Sequence, residues 1–118
     1  MAIKVYEYAK CSTCRKALKF LDARRIAYEK VPIVERPPSA AELSAMLELQ
    51  GGDLRRLFNT SGELYRELGL SAKLKTMAVG AALSLLARHG KLVKRPFVLA
   101  GGKGLVGFNE PEWRRVFG

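Results

Sequence analysis

The chain begins with a strand-like stretch, Ile3-Lys-Val-Tyr-Glu-Tyr8, in which apolar side chains alternate with polar or amphipathic ones. After two further residues comes Cys11-Ser-Thr-Cys14, and helically spaced apolar residues follow from 15 to 25. Residues 26–33 return as a short strand. This order predicts a right-handed βαβ unit. The residues expected to react lie at its first strand-to-helix turn.

The middle of the chain, about residues 39–90, is predicted to be helical. Ser39-Ala-Ala-Glu42 has capping-box spacing and opens a helix that Gly51-Gly52 ends. Two shorter helical turns follow. Thr76 is expected to cap a longer helix that ends at His89-Gly90.

The C-terminal part predicts a hairpin and a last helix. Residues 95–100 and 105–108 read as strands joined by Gly101-Gly-Lys-Gly104, which lacks the spacing of a phosphate-binding loop and leads into a strand. Asn109 is expected to cap a helix that docks through Trp113. The full order, βαβ, helices, ββα, predicts an α/β thioredoxin-like fold with a helical insertion between its two halves.

Composition is that of one compact domain covering residues 1–118, with 48% hydrophobic and 27% charged residues. No apolar run approaches the ~18 residues of a membrane span, and no signal pattern is present, so a cytoplasmic protein without membrane association is expected. Lys and Arg number 21 against 11 acidic residues, a formal net charge of +10. Because the cations are dispersed and no recognition motif accompanies them, they favour solubility over direct nucleic-acid binding.

The two cysteines of the chain, Cys11 and Cys14, are the feature that points most directly to chemistry. Two cysteines at this spacing in a strand-to-helix turn indicate a redox pair. The amide groups and dipole at a helix N-terminus favour a thiolate, and Lys10 and Arg15 add positive charge. Cys11 is therefore the expected nucleophile, and Cys14, one turn further, is the expected resolving thiol.

Two other interpretations of the cysteines remain. They are inert if they are buried as small hydrophobic side chains. A zinc site needs four ligands, which the two cysteines and the distant His89 cannot supply within one chain, so no metal is expected except at a dimer interface. His89 itself suits a structural place at a helix C-terminus.

Several segments together resemble the arsenate reductase (ArsC)/Spx family. They are residues 6–17 around the cysteines, 57–62 with 65–69, and 92–99 followed by 107–110. The resemblance extends from end to end. It implies a thioredoxin-like fold with a helical insertion, in agreement with the order of elements above.

In this resemblance Cys11 matches the family's catalytic cysteine. In arsenate-reducing members that thiolate attacks arsenate, glutathione and glutaredoxin resolve the adduct, and three arginines hold the oxyanion. Arg95 matches one arginine, whereas Asn59 and Phe108 occupy the other two positions, which disfavours arsenate as substrate. Cys14 is a feature of Spx-type members, and an internal disulfide replaces the glutathione step.

The resemblance also implies that Pro96 is a cis-proline facing the cysteines, which places Arg95 beside Cys11 to hold an oxyanion or stabilise the thiolate. The alternative is a surface arginine before an edge strand. Ser12 and Thr13 are expected to offer backbone N–H groups to an anion, although both also suit ordinary capping. The candidate substrate-binding residues are Ser12, Thr13, Arg15 and Pro96.

The sequence thus predicts a thiol–disulfide oxidoreductase related to arsenate reductases, with no bound cofactor and with glutathione, glutaredoxin or thioredoxin as reductant. The alternative is an Spx-like, redox-sensing transcription regulator that binds the RNA polymerase α subunit. Gly51-Gly52 lies where such regulators make that contact, although a helix stop also explains both glycines. The resemblance favours a monomer.

Overall fold

A four-stranded mixed sheet organises the computed structural model, which describes residues 2–118. The strands are β1 (Ile3–Glu7), β2 (Glu29–Pro32), β3 (Phe97–Ala100) and β4 (Lys103–Val106). Their order is β2-β1-β3-β4. The β1–β2 pair is parallel, as a βαβ unit requires, and the other two pairs are antiparallel.

Helices cover both faces of this sheet. They are α1 (Ser12–Ala23), α2 (Ala40–Leu49), α3 (Glu63–Glu67), α4 (Leu70–Lys73), α5 (Val79–Arg88) and α6 (Glu110–Phe117), with 3-10 turns at Leu54–Leu57 and Gly90–Leu92. Within residues 2–118, none of these helices is long and apolar enough to cross a membrane. The predicted order, βαβ, helices, ββα, is confirmed.

Side-chain alternation along the strands separates two buried clusters, one on each face. Val5 and Val98 face α1 and α6, where they pack with Phe20, Leu21 and Trp113. The neighbouring strand residues point the other way and pack with the helices inserted between β2 and β3. Members of this second cluster include Tyr6, Phe97, Leu43, Met46, Tyr65 and Leu86.

The helix α1 begins at Ser12, as expected from the predicted place of the cysteines at a helix N-terminus, although the apolar spacing is visible only from Arg15. Cys11 is extended (φ −93°, ψ 118°), and its carbonyl accepts a hydrogen bond from the Arg15 N–H at 3.1 Å. Ser12 and Thr13 are polar, so apolar periodicity cannot reveal this first turn. The cysteine pair therefore spans the helix N-cap and the first turn.

The predicted capping box of α2 is confirmed. The Ser39 hydroxyl accepts from the Glu42 N–H, and the Glu42 carboxylate accepts from the Ser39 N–H. The same carboxylate accepts from the Tyr6 hydroxyl at 2.6 Å and from the Lys4 ammonium at 3.0 Å, which joins α2 to β1. Beyond the helix end, Gly51 has a φ of +73°, a conformation that favours glycine.

The predicted cap at Thr76 is wrong, because α5 begins at Val79 with Ala78 as its N-cap. The backbone N–H of Thr76 donates to the carbonyl of Lys73, so Thr76 continues the turn after α4, a helix that the sequence analysis did not separate from α3. The hairpin prediction is confirmed with a shorter turn, since Lys103 already pairs with Ala100. Asn109 caps α6 as predicted.

Gly90 lies where the insertion returns to the sheet, directly against the chain that follows β2. A Cβ at this position would lie 1.9 Å from the carbonyl oxygen of Ile33. Gly80, in contrast, is exposed in α5, with open space where a Cβ would be. The first glycine is therefore required by backbone packing, and the second is not.

We expect Gly90→Ala to lower the free energy of unfolding by about 3 kcal/mol, because the added methyl group forces two backbone segments apart. Gly80→Ala is the matched control and should raise it by about 0.5–1 kcal/mol, since alanine has the higher helix propensity. Urea denaturation of both variants measures the difference. A Gly90→Ala protein as stable as the wild type would contradict this packing.

Candidate functional site

Cys11 and Cys14 are both free thiols at the N-terminus of α1, and they differ in exposure. Cys11 follows the loop after β1 and is half-buried, whereas Cys14, within the first turn, is fully buried. The backbone N–H of Cys11 donates to the Tyr8 carbonyl at 3.0 Å, which holds the loop against the end of the strand. Only one of the two sulfurs is therefore presented to a reactant.

Cys11 is surrounded by groups that favour its ionised form. Burial raises the pKa of Cys11, but hydrogen bonding to the thiolate from the Cys14 backbone N–H, the Cys14 thiol and the Arg95 guanidinium outweighs it. The positive charge of Arg95 acts in the same direction, and the pKa lies below its ordinary value.

Cys14 shows the opposite shift. Burial is the largest cause and raises its pKa to about 12, although a backbone hydrogen bond from Tyr8 and the charge of Arg95 oppose it. Hydrogen bonding to Cys11, and the Cys11 charge, raise it further. Cys14 is thus held as a protonated thiol mainly by burial, and a thiolate at Cys11 adds to this effect.

Arg95 comes to this site from the far end of the sequence. The Arg95–Pro96 peptide bond is cis, as the resemblance implies, and the buried Pro96 directly precedes β3. The guanidinium carbon of Arg95 lies 4.7 Å from the centre of the Tyr8 ring, while its Nη1 atom is buried and has no hydrogen-bond partner within residues 2–118. The edge-strand alternative is wrong, because β3 lies between β1 and β4.

The other candidate residues occupy different places around the thiols. Ser12 is exposed and Thr13 is half-buried in the first turn of α1. Arg15 is exposed, and its guanidinium donates to the Ala9 carbonyl at 3.1 Å, so it braces the loop. The cation that lowers the pKa of Cys11 is Arg95, in place of the predicted Lys10 and Arg15.

A cavity of about 520 Å³ opens beside Arg95. The charged and polar residues that line it are Tyr8, Asn59, Glu63, Glu67, Lys91 and Arg95. Asn59 therefore shares the cavity with Arg95, whereas Phe108 packs between Phe20 and Trp113 in the core. Neither position supplies a second cation to the site.

Sequence analysis did not identify Tyr8, the two glutamates or Lys91 as residues of the site. The i,i+4 spacing of Glu63 and Glu67 predicts that they share one helix face. Because both lie far from Tyr8 and Arg95 in the sequence, the spacing does not predict that they line the same cavity. Nothing in the sequence marks Lys91. In the described part of the chain, no three His, Cys, Asp or Glu side chains are grouped as they would be to hold a metal ion.

Comparison with known proteins gives consistent matches along the chain. The sequence model of the ArsC family matches residues 6–116. The chain is 46% identical over 113 residues to the uncharacterized protein YusI of Bacillus subtilis, with 96% of each covered. It is 37% identical over 106 residues to an arsenate reductase of Neisseria meningitidis, with 89% of each covered.

Two further similarities concern regulation and structure. The global transcriptional regulator Spx 2 of Bacillus anthracis is 25% identical over 113 residues, which are 96% of this chain and 85% of the regulator. The crystal structure of an ArsC family related protein from Bacteroides fragilis superposes with a TM-score of 0.92, at 44% identity and with 98% of each chain covered. The thioredoxin-like α/β fold with inserted helices is therefore confirmed, and the chain belongs to the ArsC family.

Proposed function

We propose that this protein is a thiol–disulfide oxidoreductase in which Cys11 is the nucleophile and Cys14 is the resolving thiol. The observation that carries the proposal is the placing of the two sulfurs at the start of α1, with Cys11 half-buried and Cys14 fully buried, and the directions of their pKa shifts, lowered at Cys11 and raised at Cys14, agree with it. In such a pair, the sulfur with the lowered pKa attacks first as a thiolate. The sulfur with the raised pKa stays protonated until it resolves the mixed disulfide. Two inert core cysteines would not differ in this manner.

The proposed reaction reduces one substrate disulfide and forms one disulfide in the protein, between Cys11 and Cys14. The Cys11 thiolate attacks one sulfur of the substrate, forms a mixed disulfide and releases the other sulfur as a thiolate, which takes a proton from water. The Cys14 sulfur then attacks Cys11 and releases the second substrate thiolate, which takes up the proton that Cys14 gives up. The substrate is reduced to two thiols, and the protein dithiol is oxidised to a disulfide.

The coupling of the two thiols gives this sequence its order. Beyond burial, the pKa of Cys14 is raised by hydrogen bonding to Cys11 and by the charge of its thiolate. Once Cys11 is part of a mixed disulfide it carries no charge, so both of these causes disappear and the pKa of Cys14 falls. Formation of the mixed disulfide therefore removes two of the causes that raise the pKa of Cys14, while burial, the largest cause, remains.

Arg95 serves the first of these steps. Its guanidinium lowers the pKa of Cys11, and its buried Nη1 atom is a donor without a partner in the protein. Such a donor suits an acceptor on the reacting molecule. We assign Arg95 to stabilising negative charge at the reacting sulfurs. Glutathione, glutaredoxin or thioredoxin is the proposed reductant that restores the dithiol, and the protein holds no cofactor of its own.

Arsenate is not the proposed substrate, although a relative at 37% identity is named for that activity. Arg95 is the single arginine beside the cavity, and Asn59 and two glutamates stand around it. A dianion at this cavity would meet the Arg95 guanidinium and the Lys91 ammonium together with the carboxylates of Glu63 and Glu67. Fixed negative charge at this position disfavours its binding.

A second candidate is a redox-sensing regulator that binds the RNA polymerase α subunit, supported by the similarity to Spx 2. Gly51 and Gly52 both have positive φ, and a Cβ at either would meet open space, so the helix end alone explains them. This candidate therefore ranks second. Pull-down of the α subunit with reduced and with oxidised protein tests it, and absence of binding in both states eliminates it.

The alkylation rate of Cys11 with iodoacetamide should rise with pH around a midpoint below the ~8.5 of free cysteine. The direction follows from the lowered pKa, since the thiolate is then populated at lower pH than in an unfolded chain. Arg95→Gln should move the midpoint to higher pH, while Arg115→Gln, an exposed position in α6, should leave it unchanged. A wild-type midpoint at or above that of free cysteine would remove the basis for an activated nucleophile.

Cys14→Ser should trap the first covalent step. After exposure to 2-hydroxyethyl disulfide, we expect roughly one mercaptoethanol adduct per chain, because serine cannot close the second disulfide. The wild-type chain should instead lose two hydrogen atoms and carry no adduct. Intact-protein mass spectrometry distinguishes the products. An adduct that persists equally in wild type would show that Cys14 is not the resolving thiol.

With glutathione and glutaredoxin present, addition of arsenate should cause no consumption of reducing equivalents beyond the background. The expected reason is that Arg95 is the single arginine lining the cavity, without the second and third arginines. Oxidation of NADPH through a glutathione reductase coupling measures the result. Sustained arsenate-dependent turnover would restore arsenate as a substrate.

A further inference from the structure

A second cavity against α3, which we name the arginine cavity, has a volume of about 590 Å³. The residues that line it are Arg55, Thr60, Tyr65, Arg66, Gly69 and Ser71. None of them lines the cavity beside Arg95, and neither cysteine belongs to either lining. The oxidoreductase chemistry proposed above therefore makes no use of the arginine cavity.

The charged side chains of the arginine cavity all have the same sign. Arg55 and Arg66 line it, and in the described part of the chain no carboxylate accompanies them. Within residues 2–118, neither guanidinium takes part in an ion pair or a side-chain hydrogen bond. Two unpaired cations in one lining favour a negatively charged ligand.

Tyr65 gives a second, independent indication of a ligand at this cavity. Its side chain is only 4% exposed, and its buried hydroxyl has no hydrogen-bond partner within residues 2–118. Buried polar groups are nearly always paired in folded proteins, because an unpaired one lowers stability. An acceptor bound in the arginine cavity would supply this partner, directly or through one bridging water.

The donors of the arginine cavity fit a phosphate group better than a carboxylate. They are two guanidinium groups and the hydroxyls of Thr60, Tyr65 and Ser71. A phosphate monoester carries a charge of about −1.5 to −2 at pH 7, which two guanidinium groups balance. Guanidinium groups also bind phosphate oxygens in pairs. A carboxylate has a single charge and two oxygens, so it would leave one arginine unused.

A smaller cavity of about 280 Å³ adjoins the arginine cavity, because Arg55 and Thr60 line both. Its other lining residues combine apolar and charged side chains: Asp53, Arg56, Phe58, Lys94 and Val106. The Asp53 carboxylate accepts from the backbone N–H of Arg55 at 3.2 Å, as the cap of the 3-10 turn. The adjoining cavity thus leaves room for an organic group next to a bound phosphate.

We propose that the arginine cavity binds the phosphate group of a small phosphate ester, with Arg55 and Arg66 as its charged ligands and the Tyr65 hydroxyl as a further donor. The volume lies within the range of small-molecule sites, which favours a small ester over a nucleic-acid backbone. No cysteine takes part, so this site is independent of the proposed oxidoreductase function.

Titration of the isotope-labelled, reduced full chain with phenyl phosphate, inorganic phosphate and benzoate tests the proposal. Amide chemical shifts in NMR spectra give both the position of binding and the dissociation constant. We expect saturable shifts within residues 55–71, with phenyl phosphate binding roughly tenfold more tightly than benzoate. Absence of saturation, or equal affinity for phenyl phosphate and benzoate, would overturn the phosphate site. Inorganic phosphate that binds as tightly as phenyl phosphate would overturn the assignment to an ester.

Variants assign the binding to named side chains. Arg55→Gln/Arg66→Gln should weaken binding of phenyl phosphate by roughly tenfold or more. The control Arg88→Gln/Arg115→Gln removes the same net charge at exposed positions of α5 and α6, and should leave the affinity within about twofold. A loss of affinity that is equal in both double variants would show that net charge alone attracts the anion, and would overturn the site.

Tyr65→Phe removes only the hydroxyl. It should weaken binding severalfold without lowering the free energy of unfolding in urea, because the hydroxyl has no partner in the free protein. Unchanged affinity together with lower stability would show a purely structural role and remove Tyr65 from the site.

Two further results would place the anion elsewhere. Arg95→Gln should keep the binding of phenyl phosphate, since Arg95 lines a different cavity. If Arg95→Gln abolishes binding, and the wild-type shifts are confined to residues around Cys11, the anion binds at the reactive site and the proposal is wrong. If a single-stranded oligonucleotide binds more tightly than phenyl phosphate at equal salt, this face is a nucleic-acid surface and the small-ester proposal is overturned.

Discussion

The position of Cys11 at the N-terminus of α1 is the constraint on which the proposed chemistry of this protein depends. Cys11 is extended while the chain from Ser12 onward is helical, which leaves the first amide groups of α1 without partners inside the helix. An ionised sulfur at this position satisfies donors that would otherwise stay unpaired. The same geometry buries Cys14 below it, so that one helix turn produces two thiols with opposite pKa shifts.

The sheet supplies the third member of the site. Tyr6 near the end of β1 is paired with Phe97 at the start of the antiparallel β3, so the residues before Phe97 lie beside those that follow Tyr6. Arg95 is thereby brought to Cys11 across more than two thirds of the chain, and the Tyr8 ring supports its guanidinium. The two clusters on either side of the sheet hold this register, because a shift by one residue would exchange the buried faces of β1 and β3.

The inserted helices determine what can approach this pair. Residues 57–59 lie alongside residues 92–94, with hydrogen bonds from Asn59 to Leu92 and from Lys94 to Leu57, and this pairing sets α3 next to Arg95. Arg95 is thus combined with a cavity lining of two glutamates, one lysine and a neutral asparagine. Members of one family can share the nucleophile and still differ in substrate, because the charge of this lining is independent of the helix turn that activates the sulfur.

The sequence by itself determined the order of strands and helices, the α2 and α6 caps and the Cys11–Cys14 pair, because all of these depend on neighbours a few residues apart. It placed the start of α5 too early, since Thr76 carries a local signal that suits more than one turn. Only the tertiary structure decided which cation acts on Cys11 and which carboxylates line the cavity. The register of β1 with β3 and the packing of α3 join residues that are far apart in the sequence, and no local pattern encodes those contacts.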